Sequence, residues 1–183
     1  MTFRGFISVD IEANDEIRKF MEELERTRAP LKMVDRDKIH ITVKFLGDTE
    51  RENVNDIAEK VRDILTGTES FVLNVKGVGA FPHMDYMKVV WIGIENEEEI
   101  TEIAHEVEEE MVPLGFSRMD KGFSPHVTVA RVKGGKNKDK LQSVLRQYHG
   151  YDFGKQKVTK LKLKESILKK SGPKYKTLEE MYL

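Results

Sequence analysis

His40-Ile41-Thr42-Val43 and His126-Val127-Thr128-Val129 are two copies of one pattern, His-apolar-Thr-apolar, set 86 residues apart in a chain of 183. A β-strand turns successive side chains to opposite faces, so each copy presents its His and Thr on one face and its two apolar residues on the other. The surroundings support strands at both places. Lys38 to Phe45 and Val127 to Val132 are strand-like, and each is followed by a glycine break, Gly47-Asp48 in the first case and Gly134-Gly135 in the second.

Working outward, Arg4 to Asp10 alternates as a first strand, and a helix near Asp15 to Thr27 gathers Ile17, Phe20, Met21 and Leu24 on one face. Thr49-x-x-Glu52 has the form of a capping box that opens a helix running to about Leu65. Phe71 to Phe81 and Met87 to Ile94 predict a hairpin turning through Pro82-His83-Met84-Asp85. A helix near Glu97 to Met111, with Ile100, Ile103, Ala104 and Val107 as its apolar stripe, is stopped by Pro113 and followed by a loop, Leu114 to Pro125. After the second motif come a helix over about Lys138 to Tyr148 and a strand pair, Val158 to Leu168 and Tyr175 to Leu183, turning at Ser171-Gly172-Pro173.

Each half thus runs helix, motif strand, glycine break, helix, two strands. The expectation is an α+β fold, a single bilobal domain over 1–183 with approximate halves 1–95 and 96–183, in which a two-fold relation brings both His-Thr faces to one cleft. The first strand stands outside the repeat and is free to pair across the halves.

Composition narrows the class. With 39% apolar and 34% charged residues the chain is of the globular kind, and no run approaches the roughly 20 apolar residues that span a bilayer. MTFRGFISVD lacks the apolar core and cleavage site of a signal peptide, so a cytoplasmic protein is expected, with no membrane partner and a monomeric state. The absence of Cys removes thiolate metal sites and cysteine nucleophiles. The net charge of −1 conceals segregation: residues 1–117 hold 14 basic and 26 acidic side chains, and residues 118–176 hold 17 and 4. A polyanion such as RNA would be steered to the second block.

Two imidazoles, each beside a hydroxyl, suit a metal-free acid–base reaction at a phosphate. Imidazole titrates near pH 6.5, so one His serves as base while its partner serves as acid, and Thr42 and Thr128 donate to non-bridging oxygens. No metal site and no cofactor are expected, because the motif strands carry Lys44, Ala130 and Arg131 rather than carboxylates. Arg118, Lys121 and Phe123, in the loop before the second motif, are candidates for RNA contact by charge and stacking. His83, His105 and His149 are assigned no catalytic part.

These residues resemble the two-histidine phosphoesterases, and within them the RNA 2′,3′-cyclic phosphodiesterases, also called 2′-5′ RNA ligases. The similarity takes in Arg4-Gly5-Phe6-Ile7-Ser8-Val9-Asp10, His40 to Gly47, Val89-Val90-Trp91-Ile92-Gly93 and Phe123 to Arg131, in order and spacing over nearly the whole chain. The resemblance implies two antiparallel sheets facing a central cleft with helices outside. It implies hydrolysis of RNA ends bearing a 2′,3′-cyclic phosphate, tRNA fragments among them, to 2′-phosphates, reversible as 2′-5′ ligation. It gives His40 as proton donor and His126 as proton acceptor, although the sequence itself treats the two as equivalent. Arg131 matches the family arginine after the second motif, yet strict alternation from His126 turns it away from the cleft, and only a bulge would bring it back. Phe45 has the same parity and is read as core, as is Trp91. Small cyclic nucleotides as substrates, nucleotide-assisted RNA joining, and an RNA-phosphate-binding module without turnover stay open as alternatives.

Overall fold

Both motifs lie on strands. In the computed structural model, which describes residues 1–183, the strands are β1 (Thr2–Asp10), β2 (Leu31–Met33), β3 (His40–Glu50), β4 (Phe71–His83), β5 (Tyr86–Ile94), β6 (His126–Val132), β7 (Asp152–Val158), β8 (Lys160–Lys169) and β9 (Gly172–Tyr182). The helices are α1 (Asp15–Arg26), α2 (Val54–Leu65), α3 (Glu98–Met111) and α4 (Lys138–Gln147). The strands pair antiparallel in the order β7-β4-β5-β6-β3-β1-β8-β9, with β2 attached to β6.

Between β3 and β6 the ladder narrows to one pair, Ile41 with Val127. It therefore divides the strands into two leaves, β3-β1-β8-β9 and β6-β5-β4-β7, joined along the motif strands. Beyond that pair the motif strands part, and β2 takes up the second half of β6 through Leu31↔Val132 and Met33↔Ala130. The leaf boundary does not fall near residue 95. One leaf draws four strands from the continuous stretch 71–158, whereas the other is assembled from the two ends of the chain, because β1 pairs with β8 as well as β3. Each leaf thus takes two of these strands from residues 1–95 and two from residues 96–183, and the first strand pairs across those parts of the chain.

The helices lie outside. α2 and α3 pack behind the first leaf, against β9 and β3, and α1 packs against β7, β2 and α4. α1 begins where Asn14 accepts a hydrogen bond from the Ile17 amide at 3.0 Å, with Asp15 and Glu16 placed favourably in its first turn, and it buries the stripe Ile17, Phe20, Met21 and Leu24. The predicted capping box of α2 does not form. Thr49 stays in β3, buried and paired with Phe3, and its hydroxyl donates to the Gly47 carbonyl, so α2 starts only at Val54 after a 3₁₀ turn. Gly47 does not end β3 either. Its φ of +70° fits a shift of register at Leu46, and the strand runs on. No helix is long and apolar enough to cross a membrane.

Each motif strand bulges at the same place. On β3 the partners step from Ser8↔Thr42 to Ile7↔Lys44, leaving Val43 over, and on β6 from Trp91↔Thr128 to Val90↔Ala130, leaving Val129 over. Two consecutive residues then face the core, Val43 with Lys44 and Val129 with Ala130, all of them buried. Lys44 is a cation in the core, and α3 supplies its counterpart: its ammonium donates to Glu108 at 2.5 Å and to the Ser117 carbonyl at 2.6 Å, while Glu108 also accepts from the Met119 amide. The loop entering the second motif is thereby tied to the strand of the first. Lys44→Ala leaves the buried Glu108 carboxylate without its counter-ion and should cost about 3–5 kcal/mol in urea unfolding, whereas Lys44→Met with Glu108→Leu should recover most of that loss.

Candidate active site

The pairing of Ile41 with Val127 fixes how the two motifs meet. Extending that antiparallel register by one residue each way sets His40 across from Thr128 and Thr42 across from His126, with all four side chains on the face away from buried Ile41 and Val127. They line a cleft of about 950 Å³.

Each imidazole is oriented by the backbone two residues before it. His40 Nδ1 lies 2.8 Å from the Lys38 carbonyl oxygen and His126 Nδ1 lies 2.8 Å from that of Ser124. A carbonyl only accepts, so Nδ1 carries hydrogen in both rings, and Nε2 is the nitrogen that changes protonation. The neutral ring offers a base at Nε2 and the charged ring an acid at the same atom.

The packing around the two rings differs. His40 sits against Phe6, with centroids 5.2 Å apart, and meets the edge of Tyr175 at 5.4 Å. His126 meets Phe81 edge to face at 4.9 Å, and Phe81 leans on Trp91 at 5.3 Å. Burial holds His40 below the usual imidazole range, the Lys38 carbonyl works the other way, and Lys164 and His126 add to the lowering. Burial likewise pushes the Tyr175 phenol up, which keeps it neutral.

The bulges decide two residues that parity had turned away. After the extra Val129, Arg131 is exposed and lines the cleft, as the resemblance required and alternation forbade. After the extra Val43, Phe45 is 47% exposed, lines the cleft and carries Arg4 over its ring at 5.1 Å; it is not core. Trp91 is half-buried and covers Gly79, where a Cβ would lie 2.3 Å from its ring. Arg118 is not brought to the site. Its guanidinium is clasped by both oxygens of Glu109, in the last turn of α3. Lys121 is also not among the residues that line the cleft, and Phe123 packs against the core.

The cleft lining is strongly cationic, with Arg4, Lys32, Lys38, Arg131, Lys133, Lys169 and Lys174 against the single carboxylate of Asp35. Three of those cations come from the part of the chain that is acidic overall. Sequence reasoning missed Arg4, Lys32, Lys38, Phe6 and Tyr175, although the lysines at the tip of the last strand pair were a signal that this hairpin meets an anion. No three His, Asp or Glu side chains converge as a metal ion would need.

Two leaves joined at paired His-x-Thr strands, with helices outside and a cationic cleft between, are the architecture of a two-histidine phosphoesterase. The chain matches the family described as AKAP7 2′5′ RNA ligase-like domain over residues 6–183, and it belongs to that family. It is 35% identical, over 98% of both chains, to a protein of Methanothermobacter thermautotrophicus named RNA 2′,3′-cyclic phosphodiesterase. A protein of the same name from Archaeoglobus fulgidus is 36% identical, over 96% of this chain and 97% of its own. Among solved structures, TT0787 of Thermus thermophilus superposes with a TM-score of 0.81 at 25% identity, covering 98% of this chain and 97% of that one. E. coli LigT, crystallised with 3′-AMP, superposes at 0.77 with 20% identity, covering all of this chain and 99% of its own, and shares the fold.

Arg131→Ala should weaken binding of inorganic phosphate by about 10-fold or more, the worth of a charged hydrogen bond. Arg118→Ala should leave it unchanged. Both are read by phosphorus-31 NMR titration.

Proposed function

We propose that this protein hydrolyses RNA 2′,3′-cyclic phosphate ends to 2′-phosphomonoesters, and that the reverse reaction joins a 5′-hydroxyl in a 2′-5′ linkage. The observation that supports this most directly is the pair of imidazoles in one cleft, each with Nδ1 committed to a backbone carbonyl and Nε2 left to exchange protons. The naming of the full-length relatives agrees with it.

The cyclic phosphate lies between the two rings, with its non-bridging oxygens held by the Thr42 and Thr128 hydroxyls and by Arg131. His126 Nε2 takes a proton from water as the water oxygen bonds to phosphorus. The bond from phosphorus to the 3′-oxygen breaks, and that oxygen receives the proton from His40 Nε2, leaving a 3′-hydroxyl and a 2′-phosphate. Reversal needs no new group, because each ring ends in the state the other began in. Burial keeps His40 neutral in the empty cleft, and an anionic phosphate beside Nε2 offsets that, so substrate binding itself charges the acid.

The cleft is near the upper end of the volume range for small-molecule sites. Its excess of cations extends beyond what one phosphate uses, which favours an oligonucleotide over a free nucleotide.

His40→Ala and His126→Ala should each reduce turnover of a 2′,3′-cyclic-phosphate oligonucleotide by about 100-fold or more with the fold intact by circular dichroism, and EDTA should change nothing. A substrate with sulfur in place of the bridging 3′-oxygen has a leaving group that needs no proton. It should restore much of the rate to His40→Ala and none to His126→Ala, and the opposite pattern would exchange the two roles.

A further inference from the structure

We propose that Lys164 and Asp10 are positioning residues for His40, the Lys164 ammonium neutralising the Asp10 carboxylate so that His40 is not permanently protonated and takes its proton only with substrate. The proposal rests on His40 acting as the acid in the reaction above.

The two leaves are related strand by strand, β3 to β6, β1 to β5 and β8 to β4, and their registers identify equivalent positions. Asp10 stands opposite His40 on β1, and Gly93 stands opposite His126 on β5. Phe6 is opposite Phe45, and Val89 is opposite Arg131. One strand further out, Phe6 faces Lys164 on β8, and Val89 faces Phe81 on β4. Likewise Ser8 faces Lys162, and Trp91 faces Gly79.

The three charged positions on β1 and β8, Asp10, Lys162 and Lys164, are therefore matched on β5 and β4 by Gly93, Gly79 and Phe81, none of them charged. The difference is built into the backbone, since a Cβ at Gly93 would lie 2.7 Å from the Lys76 carbonyl oxygen. No carboxylate fits there.

A carboxylate opposite an imidazole ordinarily raises its basicity and holds the proton. Here the carboxylate is occupied. Lys164, buried, donates to one oxygen of Asp10, and Lys162 lies 2.8 Å from the other. Burial alone would raise the Asp10 pKa, but the two ammonium groups outweigh it and hold the carboxyl below its usual range. Lys162 is in turn 3.6 Å from Glu180 on β9. The remaining titratable groups facing His40 are Tyr175 from β9, Lys38 from the turn before β3 with its ammonium on Asp35, and His126 from β6.

The test is an NMR pH titration of both imidazoles in the unliganded protein. Lys164→Met removes one of the two ammonium groups on the Asp10 carboxylate, leaving Lys162, and should raise the His40 midpoint by up to about one pH unit, Asp10→Asn should lower it, and Lys164→Arg should restore the wild-type value. Lys164→Gln, which keeps a hydrogen bond without the charge, should also raise the midpoint and serves if the Met variant does not fold. The His126 midpoint should stay put throughout. A His40 midpoint that ignores both the loss of the lysine charge and the loss of the carboxylate, or a His126 midpoint that moves as far as that of His40, would overturn the proposal. The titration uses no substrate, so it fails or succeeds separately from the turnover assays of the two histidine variants.

Discussion

One backbone pairing, Ile41 with Val127, joins the two leaves, and the chemistry of the cleft depends on its being single. It sits at the centre of the two motifs, so alternation alone carries His40, Thr42, His126 and Thr128 to one side and four apolar residues to the other. A longer ladder between β3 and β6 would zip the motif strands together along their length. With one pair the strands diverge, β2 satisfies the freed edge of β6, and the gap becomes the cleft whose wall includes Lys32 and Met33.

The paired bulges are the second constraint. A bulge adds a residue without a partner and reverses the parity of everything beyond it. Phe45 and Arg131, five residues after each His, are thereby returned to the face that carries the two histidines, and Lys44 is driven into the core, where Glu108 and the Ser117 carbonyl receive it. The three consequences share one cause. An arginine in the cleft wall, an exposed aromatic ring in the same wall, and an ion pair that pins the loop ahead of His126 all follow from one extra valine in each strand.

This explains what could be read from the sequence. The motifs, the amphipathic helices and the long hairpin depend on local periodicity, and Ile17, Phe20, Met21 and Leu24 announce their buried face without help from the rest of the chain. Parity beyond Val43 and Val129 does not, because the extra residue is defined only against the partners on β1 and β5. β2 has three residues, and β7 carries Gly154 at φ +95° together with two lysines, so neither edge strand shows the apolar alternation by which strands are recognised. The placement of Arg118 was not legible for a related reason. Nearness to the second motif in sequence suggested nearness in space, whereas Glu109, nine residues earlier, holds it outside. The division of lobes was hidden because it depends on β1 finding β8, a contact between the chain's two ends.

Repetition makes the histidines alike, but a directed proton transfer requires them to differ. The motifs themselves supply little difference: the His and Thr side chains, the carbonyl partners at 2.8 Å and the bulges are the same on both strands. It arises one and two strands away, where Asp10, Lys162 and Lys164 occupy the positions on the His40 side that Gly93, Gly79 and Phe81 occupy on the His126 side. The aromatic wall brings no charge to His126 from those strands, whereas the charge cluster beside His40 can be adjusted residue by residue. The leaf assembled from the chain's two ends is therefore the one in which selection can change the charge beside His40 without disturbing the surroundings of His126.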